Sequence, residues 1–225
     1  MKKCVIFDMD GVLVDSESVY FEAISEVIES FGHKLGRELF KRTMGIPMER
    51  GGARVLIEEL GMDIGEEELL KNLDVSYAKH FSRPLKPRPG ILELIRELKS
   101  HGFTLCVATS TRRAMAEDRL RSSSLLDYMD YVVCGDEIER GKPDPEIFLE
   151  ALARSSCRAE ETVVFEDSPN GVRAAVNAGI EVYGILHDFN DPEELLNLGA
   201  IKVFRLPDDV THIERLLMNI SKQVC

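Results

Sequence analysis

Short apolar runs alternate with amphipathic segments along most of this 225-residue chain. Continuous apolar runs are typical of strands that are buried in a parallel sheet, whereas apolar residues that recur every three or four positions are typical of helices. The runs predict strands over Lys3–Phe7, Phe103–Ala108, Tyr131–Cys134, Thr162–Phe165, Glu181–Ile185 and Ile201–Phe204. The later amphipathic segments predict helices over Ile91–Ser100, Arg112–Arg121, Pro145–Arg154, Pro169–Ala178, Pro192–Leu198 and Val210–Lys222.

The region between the first two predicted strands has a different pattern. It contains no β-rich run, and its periodicity is helical throughout. The segment Ser82–Gly90 follows it, and three prolines and a glycine there mark a boundary. The helices predicted for this region cover Glu17–Phe31, Arg37–Met44, Glu49–Leu60 and Glu66–Phe81.

Together these patterns predict an α/β protein. Alternating strands and helices indicate a doubly wound, Rossmann-like parallel sheet with helices on both faces. Because the first strand precedes the helical region, that region is expected to be an all-helical cap domain inserted into the sheet domain. We place the core domain at residues 1–14 and 84–225, and the cap domain at residues 15–83.

The composition excludes several classes of function. A formal net charge of −12 disfavours nucleic acid as a partner, because a nucleic-acid site needs a basic face. No apolar run approaches the ~20 residues of a membrane span, and the apolar run near the start is too short for a signal peptide. The charge leaves open a small anionic substrate, because a local cation can reverse the field inside one cleft. We expect a cytoplasmic monomer whose partner is a small metabolite. The cysteines lack paired spacing and are expected to be free thiols: Cys4, Cys106, Cys134, Cys157 and Cys225.

Chemically active residues follow the ends of the predicted strands. Ligands of open parallel sheets bind at the carboxyl ends of the strands, so these side chains are expected to meet at one edge. Carboxylates suit Mg²⁺, which also binds phosphate oxygens, while hydroxyls and an ammonium group neutralise the remaining oxygens. The candidate residues are Asp8, Asp10, Thr109, Ser110, Lys142, Glu166 and Asp167.

Four sequence motifs around these residues occur in a characteristic order. DMDG starts at Asp8, VATS ends at Ser110, GKPDP surrounds Lys142, and VVFEDSPNG surrounds Asp167. In order and spacing they resemble the motifs of the haloacid dehalogenase-like hydrolases over nearly the whole chain. The helical insertion after the first motif resembles the type 1 cap subclass, and the nearest similarity is to bacterial phosphatases of phosphorylated carbohydrates and to β-phosphoglucomutase-like proteins.

The resemblance implies a role for each motif residue. Asp8 is expected to be the nucleophile that forms an aspartyl-phosphate, and Asp10 the general acid and base. Thr109, Ser110 and Lys142 are expected to bind the phosphoryl group. The resemblance also implies Mg²⁺ as the cofactor, with Asp8, Asp10 and Asp167 as its ligands and Glu166 as a further ligand, either direct or through water.

Each of these residues also has a structural interpretation. Asp167 or Ser168 could cap the following helix, Thr109 could be a plain strand-end hydroxyl, and Asp10 with Gly11 could form a turn. Lys142 could be a solvated lysine. The occurrence of all of them in order at strand ends favours the chemical interpretation over the structural one.

Substrate specificity is expected to lie in the cap. The candidate substrate contacts are Tyr20, Met48 and Arg50. By alignment, Tyr20 and Met48 replace a histidine and an arginine of the mutases, which argues against a second phosphate site. Arg50 could compensate, so a phosphosugar mutase remains the alternative to a phosphatase. A dehalogenase needs no residue like Asp10, and a catalytically silent binding module would not need the four motifs.

Overall fold

The computed structural model of the protein describes residues 2–44, 46 and 48–222. The chain divides into two compact units. One consists of Met1–Asp15 and Leu85–Cys225, and the other of Ser16–Pro84. The first unit contains the sheet, and the second contains helices and no strand among its described residues.

The sheet of the first unit is parallel, and its described part has six strands in the order β3-β2-β1-β4-β5-β6. Strand β1 lies at the centre, and the chain runs outward from it on one side and then on the other. The carboxyl ends of β1 and β4 therefore border the position where the strand order reverses, which is where ligands bind in such sheets. The strands are β1 (Cys4–Phe7), β2 (Thr104–Thr109), β3 (Tyr131–Cys134), β4 (Thr162–Glu166), β5 (Glu181–Leu186) and β6 (Val203–Arg205).

Helices pack on the sheet and enclose an apolar core. The central strands are buried along their length, and the aromatic rings of Phe7 and Phe165 stack across β1 and β4 with centroids 5.5 Å apart. Ile147 and Phe148 of one helix and Val172 of another are fully buried in this core. The helices of this unit are α5 (Ile91–Ser100), α6 (Arg113–Ser122), α7 (Glu146–Ser155), α8 (Pro169–Asn177), α9 (Pro192–Asn197) and α10 (Val210–Lys222).

The second unit is held together by packing between its first and last helices. The Ser76 hydroxyl donates to the Ala23 carbonyl at 3.0 Å, and Tyr20 packs its ring on Tyr77 and Phe81. A second aromatic pair joins Phe21 of the first helix to Phe40 of the second. The helices are α1 (Ser16–Ser30), α2 (Arg37–Thr43), α3 (Gly52–Leu60) and α4 (Glu66–Phe81), with a 3₁₀ turn at Met48–Arg50.

The predicted fold class, a doubly wound parallel sheet with an inserted helical region, is confirmed. Many element ends differ from the prediction by one residue, and two elements differ by more. The single helix expected over Glu49–Leu60 is broken at Gly51, whose φ of 122° is incompatible with a continuous helix. The last strand lies at Val203–Arg205, later than expected, because Ile201 is 55% exposed and lies before the paired residues.

Other sequence-based expectations can be compared with the described residues. Cys4, Cys106, Cys134 and Cys157 carry free thiols, whereas Cys225 lies outside the described residues. In the described part of the chain, no helix has the length and apolarity needed to cross a membrane.

Candidate active site

The first motif forms a tight turn at the carboxyl end of β1. Phe7 pairs with Val107 on one side and Phe165 on the other, so Asp8 emerges between two strands. Its backbone N–H donates to the Phe165 carbonyl at 2.9 Å, and its side chain is buried. Gly11 closes the turn with a φ of 79°, and a Cβ there would lie 2.1 Å from Oδ2 of Asp167. Glycine is therefore needed at position 11 for two reasons. It adopts the left-handed backbone conformation without strain, and its lack of a side chain lets the first motif approach the motif around Asp167.

Lys142 connects the first and last motifs. Its ammonium group donates to Oδ1 of Asp8 at 2.5 Å, to Oε1 of Glu166 at 2.6 Å and to the Ala108 carbonyl at 3.1 Å. The lysine side chain is only 6% exposed. The solvated-lysine interpretation is thus wrong for this residue.

Glu166 anchors the loop that follows β4. Its second carboxylate oxygen, Oε2, accepts from the backbone N–H groups of Asp167 and Ser168, both at 2.8 Å, and from the Ser168 hydroxyl at 3.0 Å. Ser168 in turn caps α8 by accepting from the Gly171 N–H at 3.0 Å. The capping role thus belongs to Ser168, which leaves the Asp167 side chain for the site.

Asp10 lies in a separate pair of contacts. Nη1 of Arg119 donates to one of its carboxylate oxygens at 2.6 Å, and the Thr111 hydroxyl donates to the other at 2.7 Å. The arginine side chain is 7% exposed. Both partners were missed by the sequence analysis. A signal existed for Arg119, because it shares the buried face of α6 with Ala116 and Leu120.

The hydroxyl residues after β2 have different environments. Thr109 is fully buried, and its side-chain oxygen accepts from the Thr111 N–H at 3.1 Å. Ser110 is exposed. The predicted cap residues all lie in the helical unit, where Tyr20 packs against aromatic rings, Met48 is half-buried and Arg50 is exposed.

Three of the acidic side chains are arranged as a candidate metal site. Asp8, Glu166 and Asp167 are all buried, and each offers a carboxylate oxygen within 4.8 Å of the others. An all-oxygen donor set of this kind suits a hard divalent cation.

Comparison with known proteins identifies the family of this chain. Residues 5–185 match the family described as haloacid dehalogenase-like hydrolase. The chain belongs to the haloacid dehalogenase-like hydrolases. The family predicted from the four motifs is therefore confirmed, as is the expectation of an enzyme of the hydrolase class.

Several known proteins are similar to this hydrolase over most of its length. A phosphorylated carbohydrates phosphatase of Thermotoga maritima is 43% identical over 212 residues, which cover 94% of this chain and 97% of that protein. A (DL)-glycerol-3-phosphatase of Arabidopsis thaliana is 34% identical over 186 residues, which cover 79% of this chain and 77% of that protein. A solved structure from Thermotoga maritima, assigned as a β-phosphoglucomutase, has a TM-score of 0.78 at 42% identity and full coverage of both chains.

Burial and neighbouring like charges disfavour the ionised forms of the acidic side chains in this hydrolase. Burial raises the pKa of the Asp8 carboxyl well above its ordinary value, and Glu166 and Asp167 add to this against the attraction of Lys142. The pKa of Asp167 is also raised, by burial and by Glu166. Burial disfavours the charged form of Lys142, but the neighbouring carboxylates outweigh it and raise the pKa of the ammonium group. The cluster would thus favour a further positive charge.

We predict that Gly171→Ala destabilises the protein. A Cβ at this position would lie 1.7 Å from Oε1 of Glu166, a buried group that is held by Lys142 and by the backbone. Alanine in a helix normally gains about 0.5–1 kcal/mol over glycine, but here the overpacking is expected to cost about 1–3 kcal/mol instead. Urea unfolding measures the change.

The matched control for this substitution is Gly141→Ala, because a Cβ there meets nothing within 4 Å. Its free energy of unfolding should stay within about 0.5 kcal/mol of the wild-type value. A stabilised Gly171→Ala variant would show that Glu166 is not fixed where the structure places it.

Proposed function

We propose that the protein is a Mg²⁺-dependent phosphatase that hydrolyses small phosphomonoesters, with phosphorylated sugars as the substrate class. The observation that carries this proposal is the buried Asp8 carboxylate, which is paired with Lys142 beside two further acidic side chains. The pairing keeps a nucleophile, a phosphate-binding cation and a set of metal ligands within one small volume. The phosphatase of phosphorylated carbohydrates that is 43% identical over 94% of this chain supports the substrate class.

The residues present fit a divalent cation. The side-chain cations of Lys142 and Arg119 contact Asp8, Glu166 and Asp10, and Asp167 adds a further buried carboxylate. An ion would be held by Asp8, Asp167 and the backbone carbonyl of Asp10, with Glu166 further out because Lys142 and backbone N–H groups already occupy its oxygens. When bound, Mg²⁺ lowers the repulsion between the anionic substrate and an anionic nucleophile.

The chemistry proceeds on Asp8 in two displacements. A carboxylate oxygen of Asp8 attacks the phosphorus atom, and the bond between phosphorus and the leaving alcohol oxygen breaks. Asp10 in its protonated form donates the proton to that oxygen. The resulting carboxylate, which Arg119 and Thr111 stabilise by donating to its oxygens, then removes a proton from the water that attacks the aspartyl-phosphate and so recovers the acid. This second displacement releases inorganic phosphate and regenerates the Asp8 carboxylate.

The remaining motif residues bind the transferring group. The Lys142 ammonium group neutralises charge on the phosphoryl oxygens while staying within reach of Asp8. The hydroxyl of Thr109 and the backbone and hydroxyl of Ser110 donate to the same oxygens at the end of β2. The Thr109 oxygen accepts from the backbone of Thr111, which leaves the hydroxyl proton of Thr109 available for the substrate.

Substrate selection is assigned to the helical unit. We infer that residues 15–83 act as a cap and that residues 1–14 and 84–225 form the catalytic core. The linkers between them, near Asp15 and at Ser82–Gly90, are the proposed hinges. Tyr20, Met48 and Arg50 are the proposed contacts to the part of the substrate beyond the phosphoryl group. Packing on Tyr77 and Phe81 fixes the ring of Tyr20 within the helical unit.

A phosphosugar mutase is the second candidate, and the structure assigned as a β-phosphoglucomutase favours it. A mutase must hold a second phosphate, and of the two cap positions that correspond to mutase contacts, Met48 carries no charge. Arg50 is the nearby cation. Incubation of β-glucose 1-phosphate with glucose 1,6-bisphosphate separates the two activities, because a mutase forms glucose 6-phosphate without net release of phosphate.

We predict that Asp8→Asn abolishes hydrolysis. Phosphate release from an aryl phosphate and from a panel of phosphorylated sugars should fall by at least about 10³-fold, because the amide has no carboxylate oxygen to attack phosphorus. Asp127→Asn is the matched control, since Asp127 is exposed, and it should leave the rate unchanged. An Asp8→Asn variant that keeps the wild-type rate would contradict the aspartyl-phosphate mechanism.

Metal removal is expected to stop the reaction reversibly. Treatment with a chelator should reduce phosphate release to background, and added Mg²⁺ should restore it, because the buried acidic cluster needs a cation before it can admit an anion. Circular dichroism of the chelated protein checks that the fold persists. Full activity in excess chelator would rule out the proposed role of the metal.

A further inference from the structure

The loop that follows β5 contacts Asp167. It begins at His187, directly after Leu186, and the ring of this histidine is almost fully buried. Nε2 of this ring lies 3.0 Å from Oδ2 of Asp167. The sequence motifs do not include this histidine, and the proposed chemistry does not use it.

The surrounding backbone fixes the tautomer of His187. The N–H of Phe189 donates to Nδ1 of the ring at 3.1 Å, so Nδ1 must present its lone pair. In the neutral imidazole the proton is therefore on Nε2, which donates it to the Asp167 carboxylate. This is the arrangement in which a histidine acts as a directional donor and not as a metal ligand.

Asn190 fixes the backbone of the same residue. Its side-chain oxygen accepts from the His187 N–H at 3.0 Å, which determines which end of the amide carries the hydrogens. The amide nitrogen then donates to the Asp167 carbonyl at 2.9 Å and to the Ile185 carbonyl at 2.8 Å. One asparagine thus ties the loop after β5 to the loop after β4.

These contacts engage one of the two carboxylate oxygens of Asp167. Oδ2 accepts from His187 and lies against Gly11, where even a Cβ would be 2.1 Å away. Asp167 is one of the three residues of the acidic cluster with Asp8 and Glu166, and its oxygen that does not face His187 is Oδ1.

We propose that His187 and Asn190 are positioning residues for the metal ligand Asp167, with the Nε2–H of His187 selecting Oδ1 as the coordinating atom. This inference rests on the proposed metal-dependent function of the site. Mutation of a residue that orients a metal ligand typically lowers the metal affinity about 10–100-fold. A purely structural role for the loop would instead change stability and leave the affinity for the ion unchanged.

The test compares two amides at position 187 in the substrate-free protein. In His187→Gln the side-chain nitrogen reaches about as far as Nε2 and can still donate to Asp167. In His187→Asn the shorter side chain can accept from the Phe189 N–H but cannot reach the carboxylate. Calorimetric titration with Mg²⁺ should show at least about tenfold weaker binding for His187→Asn and substantial rescue in His187→Gln.

His101→Gln is the matched control, since His101 is an exposed histidine on α5's carboxyl end, and it should bind Mg²⁺ like the wild type. Equal Mg²⁺ affinity in His187→Asn and wild type would overturn the proposal, and so would a wild-type protein that binds no Mg²⁺. Because no substrate is present, a wild type that binds Mg²⁺ but hydrolyses no phosphomonoester would refute the proposed function and leave this inference standing.

A measurement on the unmodified protein covers the case in which the variants do not fold. Nitrogen-15 chemical shifts distinguish the two neutral tautomers of a histidine ring. The His187 ring should show a protonated Nε2 and an unprotonated Nδ1. A proton on Nδ1 would contradict the donor role on which the proposal depends.

Discussion

A buried ammonium group joins the acidic side chains at the ends of the two central strands, β1 and β4. Lys142 donates to both Asp8 and Glu166, and its side chain is 6% exposed. Without it, carboxylates from two neighbouring strand ends would be desolvated beside each other, an arrangement that is costly for unpaired charges. One lysine does not balance the whole acidic cluster, and this residual negative charge is the physical reason for proposing a divalent cation there.

The topology of the sheet brings this lysine and these acids together. Strands β1 and β4 are neighbours although more than 150 residues separate them, so Asp8 and the residues after Glu166 emerge side by side. Two glycines permit the close approach: Gly11 lies against Asp167, and Gly171 lies against Glu166. The loop after β5 then closes on Asp167 through His187 and Asn190. The acidic side chains are thus held in place by neighbouring residues, and such support from surrounding residues keeps a site rigid.

The strands, the inserted helical region and the motif residues could be predicted because periodicity and strand-end position are local signals. The break at Gly51 was not predicted, since a single glycine within an otherwise helical pattern does not reveal its φ. The Arg119 contact with Asp10 joins residues 109 positions apart, and its burial depends on how α6 packs. His187 was missed for the same reason, because no local motif states that a histidine after β5 faces an aspartate after β4.

The most direct test of the central interaction is a double-mutant cycle between Lys142 and Glu166. Lys142→Met should lower the free energy of unfolding by about 3–5 kcal/mol, because it leaves buried carboxylates without their cation. Adding Glu166→Gln to that variant should cost less than it does in the wild type, since one unpaired charge is removed, and the coupling should exceed about 0.5 kcal/mol. Losses that simply add would contradict the account, because they would mean that the lysine and the glutamate do not stabilise each other.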